Sequence, residues 1–529
     1  MRRAPARAGQ RRGPVVAATR ALAALLAGLL LLAAGPAPAP APAVRAWREA
    51  HEAAIVNELA ALVAIPDVAR DSTNIRRNAR ALVALLERRG IHARLLDDGP
   101  WPPVVFGERR VPGATRTLIF YAHYDGQPVT PSEWATPPWE PTLRVRAGEG
   151  WRTVPLPASG DPAPLDPEAR LFGRATADDK ATIVAMLAAL DALAATRRPP
   201  TVNLAFFFEG EEEAGSPHAR AILQRHRAEL AADAWLFCDG PVHASRQPQL
   251  VLGARGVMGL ELTAYGPARA LHSGHYGNWA PNPALGLARL LASLRDDDGR
   301  ILVAGFYDDV RPVSDAEHRA LAALPAVDRE LRAELLLGAT EGGGAPVAER
   351  VMLPALNVHG IRSGAVGREA TNSIPTEARA SLDFRLVPDQ MPARVRARIE
   401  SHLTQQGWFV THDSVTAAMR LAHPRVIRAE WDSGYAAYHL PLETPAAQAV
   451  RGALDELLGH PVLVVPMLGG SLPLSDFAAE LKAPLITVPI ANHDDAQHAR
   501  NENLRLQNLW DGIELYAAIM TRAAAHWPR

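Results

Sequence analysis

Apolar and polar positions alternate along this chain in two distinct grammars. Residues 44–89 place apolar side chains at helical spacing, Leu59, Leu62 and Val63, then Leu82, Leu85 and Leu86, with a break at Pro66, and so predict helices. The apolar run Thr117-Leu118-Ile119-Phe120 predicts a buried strand that ends in Tyr121-Ala122-His123-Tyr124-Asp125-Gly126. A Pro- and Trp-containing loop over 128–141 and a Gly- and Pro-rich loop over 148–167 lead to an alanine-rich helix expected over 179–196. Strands are expected over 202–208 and 234–237. Strands separated by helices at this spacing imply an α/β sheet.

From about residue 256 the pattern changes. A strand at 257–264, a helix at 283–294, strands at 356–361 and 377–386, a helix at 391–405 and a strand at 408–412 give the order βαββαβ, which is ferredoxin-like. An acidic helical insertion occupies 315–337. Past Pro441 the first pattern returns, with a helix over 444–458, strands over 462–465 and 485–488, and a closing helix over 503–525. The expected organisation is therefore an α/β/α domain over 44–253 and 442–529, split by an inserted α+β domain over 254–441.

Length agrees with two domains, since 529 residues exceed one ordinary core. A formal net charge of -1 removes the electrostatic basis for binding nucleic acid or an anionic membrane surface. Cys238 is the only cysteine, so neither an intramolecular disulfide nor a thiolate metal cluster is possible; a small buried strand residue is its ordinary role. The amino terminus reads as an export signal over 1–43. Arg2, Arg3, Arg7, Arg11, Arg12 and Arg20 precede an apolar run of 14 residues, Ala21 to Ala34, short of the roughly 20 that span a bilayer. Ala41-Pro42-Ala43 offers a cleavage site, giving a mature chain from Val44 that is periplasmic or secreted, without stable membrane insertion. An uncleaved amino-terminal anchor is the alternative.

Five places bring carboxylates or imidazoles to a strand end or helix start: His123 with Asp125, Asp178-Asp179, Glu211-Glu212-Glu213, Asp239, and His498. His123 and Asp125 are two apart in an extended backbone and so face the same side. In open α/β sheets the carboxyl ends of strands are where ligands bind. Gathered carboxylates repel one another unless a cation sits among them, and histidine with carboxylate and no cysteine suits zinc, with manganese or cobalt also possible.

These residues resemble those of the carnosinase, aminoacylase and succinyl-diaminopimelate desuccinylase family of two-metal hydrolases. The likeness is carried by His123-Tyr-Asp125, Gly173-Arg-Ala-Thr-Ala-Asp178-Asp179-Lys180, Glu212-Glu213-Ala-Gly-Ser216, Asp239, Leu271-His272-Ser273-Gly274 and Asp494-Asp495-Ala-Gln-His498-Ala-Arg-Asn501-Glu502, in the same order. The resemblance implies that Asp178 bridges two metals, that His123 and Asp239 complete one site and Glu213 and His498 the other, that Asp125 orients His123, and that Glu212 is the general base. It places His272 as the oxyanion donor, often delivered to the neighbouring subunit's site. It also puts Arg385, Asn372, Gly470 and Ser471 at the substrate's far end. Three departures stand out: Ala175 and Ala181 where glycine is common, and Gly126 where a larger residue is usual, a change expected to alter the rim. The stretch 148–167 looks like an insertion near the mouth.

The resulting expectation is an exported metallopeptidase cleaving dipeptides or small amino-acyl amides. Asp239 favours that reading, because in the family aspartate there goes with dipeptidases and aminopeptidases, and glutamate more with deacylases and carboxypeptidases. Deacylation of N-acyl amino acids by the same machinery is the alternative. A non-catalytic binding protein on this fold is remote, since every ligand and the base are present. Relatives also imply a homodimer through the inserted domain.

Overall fold

The computed structural model describes residues 40–528. The expected leader therefore lies outside the described residues except for its last four positions, which open a helix, Pro40–Glu49. Val44 in that helix is buried in the main core, and Arg45 pairs with Glu514 at 2.7 Å, so the expected mature start falls inside packed structure. Among the described residues no helix is long and apolar enough to cross a membrane.

The first and last parts of the chain build one eight-stranded sheet. Its spatial order is His92–Leu96, Val104–Arg109, Asn203–Glu209, Thr117–His123, Ala234–Phe237, Leu485–Thr487, Gln249–Val251, Leu463–Val465. The central four strands, Asn203–Glu209 to Leu485–Thr487, run parallel. A parallel sheet is covered on both faces, which is why its strands read as near-continuous apolar runs. Successive phenylalanines show the division. Phe206 and Phe208 pack into the larger core with helices Glu52–Val63, Ala181–Ala195, Pro445–Leu458 and Leu506–His526, whereas Phe207 packs with Ala219–Arg225 and Leu474–Leu481 on the other face. Helix Ala181–Ala195 is buried around most of its circumference, and its alanines let it lie between the sheet and neighbouring helices. The helix expected from 179 begins at Ala181, because residues 176–180 form a separate irregular turn.

The inserted domain has the strand order Ala355–Arg362, Glu377–Leu386, Gly253–Tyr265, Val426–Trp431, Phe409–Thr411, with helices Pro283–Leu294 and Pro392–Gln405 packed on its core. The ferredoxin-like expectation stands, with one correction. The place beside the central strand belongs to Val426–Trp431, which pairs with it antiparallel, and the expected fourth strand at 408–412 is displaced to the edge. Val426–Trp431 was not predicted: Ile427, Ala429 and Trp431 do alternate with Arg428 and Glu430, but over only five residues. The acidic insertion is two helices, Asp315–Ala322 with a Ser314/Glu317 capping box and Asp328–Glu334, separated around Pro325.

Gly253–Tyr265 joins the two domains as one continuous strand. Its first residues pair with Tyr438–His439 and Leu468–Ser471, and the rest with the inserted sheet. Gly256 lies at the crossing, where an added Cβ would come 2.4 Å from the Tyr435 carbonyl oxygen, so only glycine fits without a shift.

Residues 148–167, expected as an insertion, belong to a small separate sheet and the chain that follows it. Thr142–Ala147 and Gly150–Val154 make a hairpin in a separate four-stranded sheet with Arg170–Phe172 and Asn503–Arg505. The chain then returns along helix Glu52–Val63, where Asn57 donates to the Pro157 carbonyl at 2.9 Å and the Leu165 N–H donates to Glu52 at 2.7 Å.

Candidate metal centre

Each expected ligand, and the expected base Glu212, leaves the carboxyl end of a central strand or the turn beside it. His123 ends Thr117–His123; Asp178 lies in the turn Thr176–Lys180; Glu212 and Glu213 follow Asn203–Glu209; Asp239 follows Ala234–Phe237; His498 lies in the loop beyond Leu485–Thr487. The fold brings them together as two groups of three, His123 with Asp178 and Asp239, and Asp178 with Glu213 and His498. Within each group the potential ligand atoms lie within 4.8 Å of one another. His123 Nε2 is 2.9 Å from Asp178 Oδ1 and 4.0 Å from Asp239 Oδ2. On the other side, His498 Nε2 is 3.2 Å from both Asp178 Oδ2 and Glu213 Oε2. Asp178 thus presents one oxygen to each group. All but His498, which is exposed, have side chains that are buried.

Backbone donors lock this arrangement. The Asp125 carboxylate accepts from the N–H groups of Glu212 and Glu213 at 3.1 and 3.0 Å, and lies 3.4 Å from His123 Nδ1, so it ties one ligand ring to the turn carrying the next ligand. Glu502 does the same for Asp178. It accepts from the N–H groups of Ala175, Ala177 and Asp178 at 3.0, 3.0 and 3.1 Å, and from Arg174 Nη1 at 2.8 Å. Below this turn, Lys180 Nζ is buried against Asp67 at 2.8 Å and donates to the carbonyls of Leu62 and Ile65. Neither Glu502 nor Asp67 was given a role from sequence. Glu502 stood within a quoted motif, but Asp67 is separated by 113 residues from its partner, and no local period links them.

The departures acquire physical meaning. Ala175 adopts φ 59°, the left-handed region that favours glycine, while its N–H is held by Glu502. Gly126 is buried beneath the site rather than on its rim. A Cβ there would press on the Arg174 side chain and Asp67 Oδ1 at 3.1 Å.

A cavity of about 430 Å³ opens beside the ligands, lined by Asp178, Glu212, Asp239 and His498 at one end and by Arg385, Leu468, Gly470 and Ser471 at the other. Of the residues expected at the substrate's far end, three are thus in place: Arg385 Nη1 donates to Ser471 Oγ at 2.8 Å, and Gly470 precedes it. His272 and Asn372 are not on this cavity. They are neighbours on the exposed surface of the inserted domain, where the Ser273 N–H donates to the Asn372 carbonyl at 2.8 Å and His272 Nδ1 accepts from the Gly274 N–H.

Residues 119–522 match the model of peptidase family M20/M25/M40. The chain belongs to that family. Among curated M20 relatives, the Cys-Gly metallodipeptidase dug1 of Schizosaccharomyces pombe is 26% identical over 499 residues, covering 89% of this chain and 96% of the relative. The Beta-Ala-His dipeptidase of Homo sapiens is 26% identical over 544 residues, covering 96% and 98%. Among solved structures, human carnosine dipeptidase 1 superposes with a TM-score of 0.73 at 23% identity, covering 93% of this chain and all (100%) of that one. The M20 metallo-carboxypeptidase Sso-CP2 of Sulfolobus solfataricus gives 0.72 at 25%, covering 89% and 99%. This M20 chain is accordingly a metal-dependent, dipeptidase-like hydrolase with an inserted second domain.

The donor set of this M20 protein fits divalent cations. Five carboxylates, those of Asp125, Asp178, Glu212, Glu213 and Asp239, gather around two imidazoles, and among the described residues no lysine or arginine lines the ligand end of the cavity. Electrostatics record the crowding. Burial, with the Asp178 charge, pushes the Asp239 carboxyl up to about 7, and burial with the charges of Asp239, Glu213 and Asp178 holds Glu212 well above the usual range. Hydrogen bonds to Asp178 and Glu213 push the His498 imidazole up to about 11. Cations among these oxygens replace that mutual repulsion with attraction.

Proposed function

We propose that this protein hydrolyses the amide bond of dipeptides or similar small amino-acyl substrates with two divalent metal ions, zinc by the chemistry of the donors. His123, Asp178 and Asp239 would hold one ion; Asp178, Glu213 and His498 would hold the other. When bound, the ions supply Lewis acidity for the scissile carbonyl and lower the proton affinity of the attacking water. Glu212 carries the reading: it lines the cavity, belongs to neither ligand group, and its carboxylate has no ion pair among the described residues. It takes the proton of the attacking water and delivers it to the leaving amine. Asp125 fixes its backbone for that work, and Arg385 with Ser471 receives the far end of the substrate. The dipeptidase names of the relatives and the aspartate at position 239 both support a substrate with a free amino group.

The exposed His272 is consistent with donation to a second subunit's cavity, so the working form is a homodimer through the inserted domain. The leader directs export, with the mature chain starting near Val44. The test uses that mature chain loaded with zinc or with manganese, on matched dipeptides with the amino group free or N-acetylated. Cleavage of the free-amine series is expected. Cleavage of only the acylated series makes the protein a deacylase and discards the Asp239 argument.

A further inference from the structure

Behind the cavity's far end lies a second guanidinium to which no role is assigned above. Arg255 stands on the strand that joins the two domains, beside Leu468–Ser471. Its Nε and one Nη donate to the same acceptor, the Gly469 carbonyl, at 2.9 and 2.7 Å. Two residues on, Ser471 Oγ donates to the Gly256 carbonyl at 3.3 Å and accepts from Arg385. The segment that presents Gly470 and Ser471 to the substrate is thus clamped by Arg255, the residue before Gly256.

Charge reinforces the geometry. Arg385 has a carboxylate partner, Asp383 at 2.8 Å, which it shares with His359. Arg255 makes no ion pair of its own among the described residues; the charges that bear on it are the like-charged Arg385 and, in the opposite sense, the same Asp383. Burial and the Arg385 charge bring its guanidinium down to about 10, so it remains a cation at neutral pH. Two cations and one shared carboxylate leave the far end positive, opposite a ligand end that is rich in carboxylates. A bound substrate anion restores the balance.

We propose that Arg255 is a positioning residue for substrate selection: it clamps the Gly469 carbonyl so that Ser471 and Arg385 meet in one geometry, and its charge, added to that of Arg385 against the single carboxylate Asp383, makes the far end select a substrate terminating in a carboxylate. This rests on the amide-hydrolase reading of the same cavity. It adds a residue outside the cavity lining as a determinant of which amides are taken.

The experiment compares the metal-loaded wild type, Arg255→Met and Arg255→Lys on one dipeptide and on its C-terminal amide. For the wild type the free carboxylate is expected to be preferred. Arg255→Met should raise KM for the carboxylate substrate about 10- to 100-fold with little change in kcat, and barely affect the amide, so the preference collapses. Arg255→Lys keeps the charge and loses the two-pronged grip, so it should give an intermediate loss. A preference unchanged in both variants, even with a lowered melting temperature, overturns the proposal and makes Arg255 merely structural. If Arg255→Met does not fold, Arg255→Lys alone decides on the same criterion. A dipeptide methylated on its scissile nitrogen, and the amide of that compound, provide the comparison by calorimetry without turnover. An Arg255-dependent carboxylate preference in binding, with no dipeptide cleaved by the wild type, would separate failure of the hydrolase reading from failure of this one.

Discussion

The two ends of the cavity are built from opposite materials. At the ligand end, carboxylates and imidazoles project from the ends of parallel strands in one domain, and further carboxylates, Asp125 and Glu502, hold the turns that carry them. At the far end, Arg255 from the strand shared by the two domains and Arg385 from the inserted sheet hold a glycine-rich segment through the Gly469 carbonyl and the Ser471 hydroxyl. Anionic scaffolding suits a place that must concentrate cations, and cationic scaffolding suits one that must receive an anion. A dipeptide has the corresponding polarity, with reactive chemistry near its amine and a carboxylate at its other end. The contrast also separates what one chain supplies from what a second copy would add, since His272 and Asn372 lie on neither end.

The comparison can be broken most severely at the shared ligand. Asp178→Ala should abolish activity and reduce occupancy of both metal positions, read by elemental analysis; retention of one full equivalent would mean that Asp178 does not bridge. Glu212→Gln should lower kcat by about 10³-fold while both metals stay bound. Undiminished turnover would remove Glu212 from the chemistry.

Smaller effects probe the scaffolding. In Glu502→Gln an amide N–H must face a backbone N–H or Arg174, so metal affinity should fall about 10- to 100-fold, measured by chelator competition. An unaltered affinity would show that the turn holds Asp178 without Glu502. Ala175→Gly is expected to act in the other direction. Relieving a left-handed alanine should raise stability by about 1 kcal/mol, offset in part by the greater entropy of the unfolded glycine chain, with metal content unchanged. A lowered melting temperature would mean that the alanine methyl packs more usefully than its backbone strain costs.

Much of the ligand end was legible because its logic is local. An apolar strand ending in His-x-Asp orients two side chains by the period of two, and acidic groups recur directly after the next apolar runs. The far end was legible only through resemblance, and the structure divided that expectation: Arg385, Gly470 and Ser471 converge, whereas His272 and Asn372 stay together on the surface. The strand Val426–Trp431 escaped notice although Ile427, Ala429 and Trp431 alternate with Arg428 and Glu430, because the alternation lasts only five residues. The packing of 148–167 was not legible for a related reason, since a loop's composition records that it turns and not which element it packs against.

By itself the sequence determined the kinds of side chain present, the strands and helices that carry most of them, and the split of an α/β domain by an inserted α+β domain. Those follow from hydrophobic period and turn chemistry, which act over a few residues. Tertiary structure alone decided that Glu502 closes on the turn of Asp178 from 324 residues away, that Lys180 is buried on Asp67, and that Arg255 grips the carbonyl of Gly469. Such partners are chosen by the packing of whole layers, which brings distant backbone donors and lone charges into contact, and no short-range pattern encodes where those layers meet.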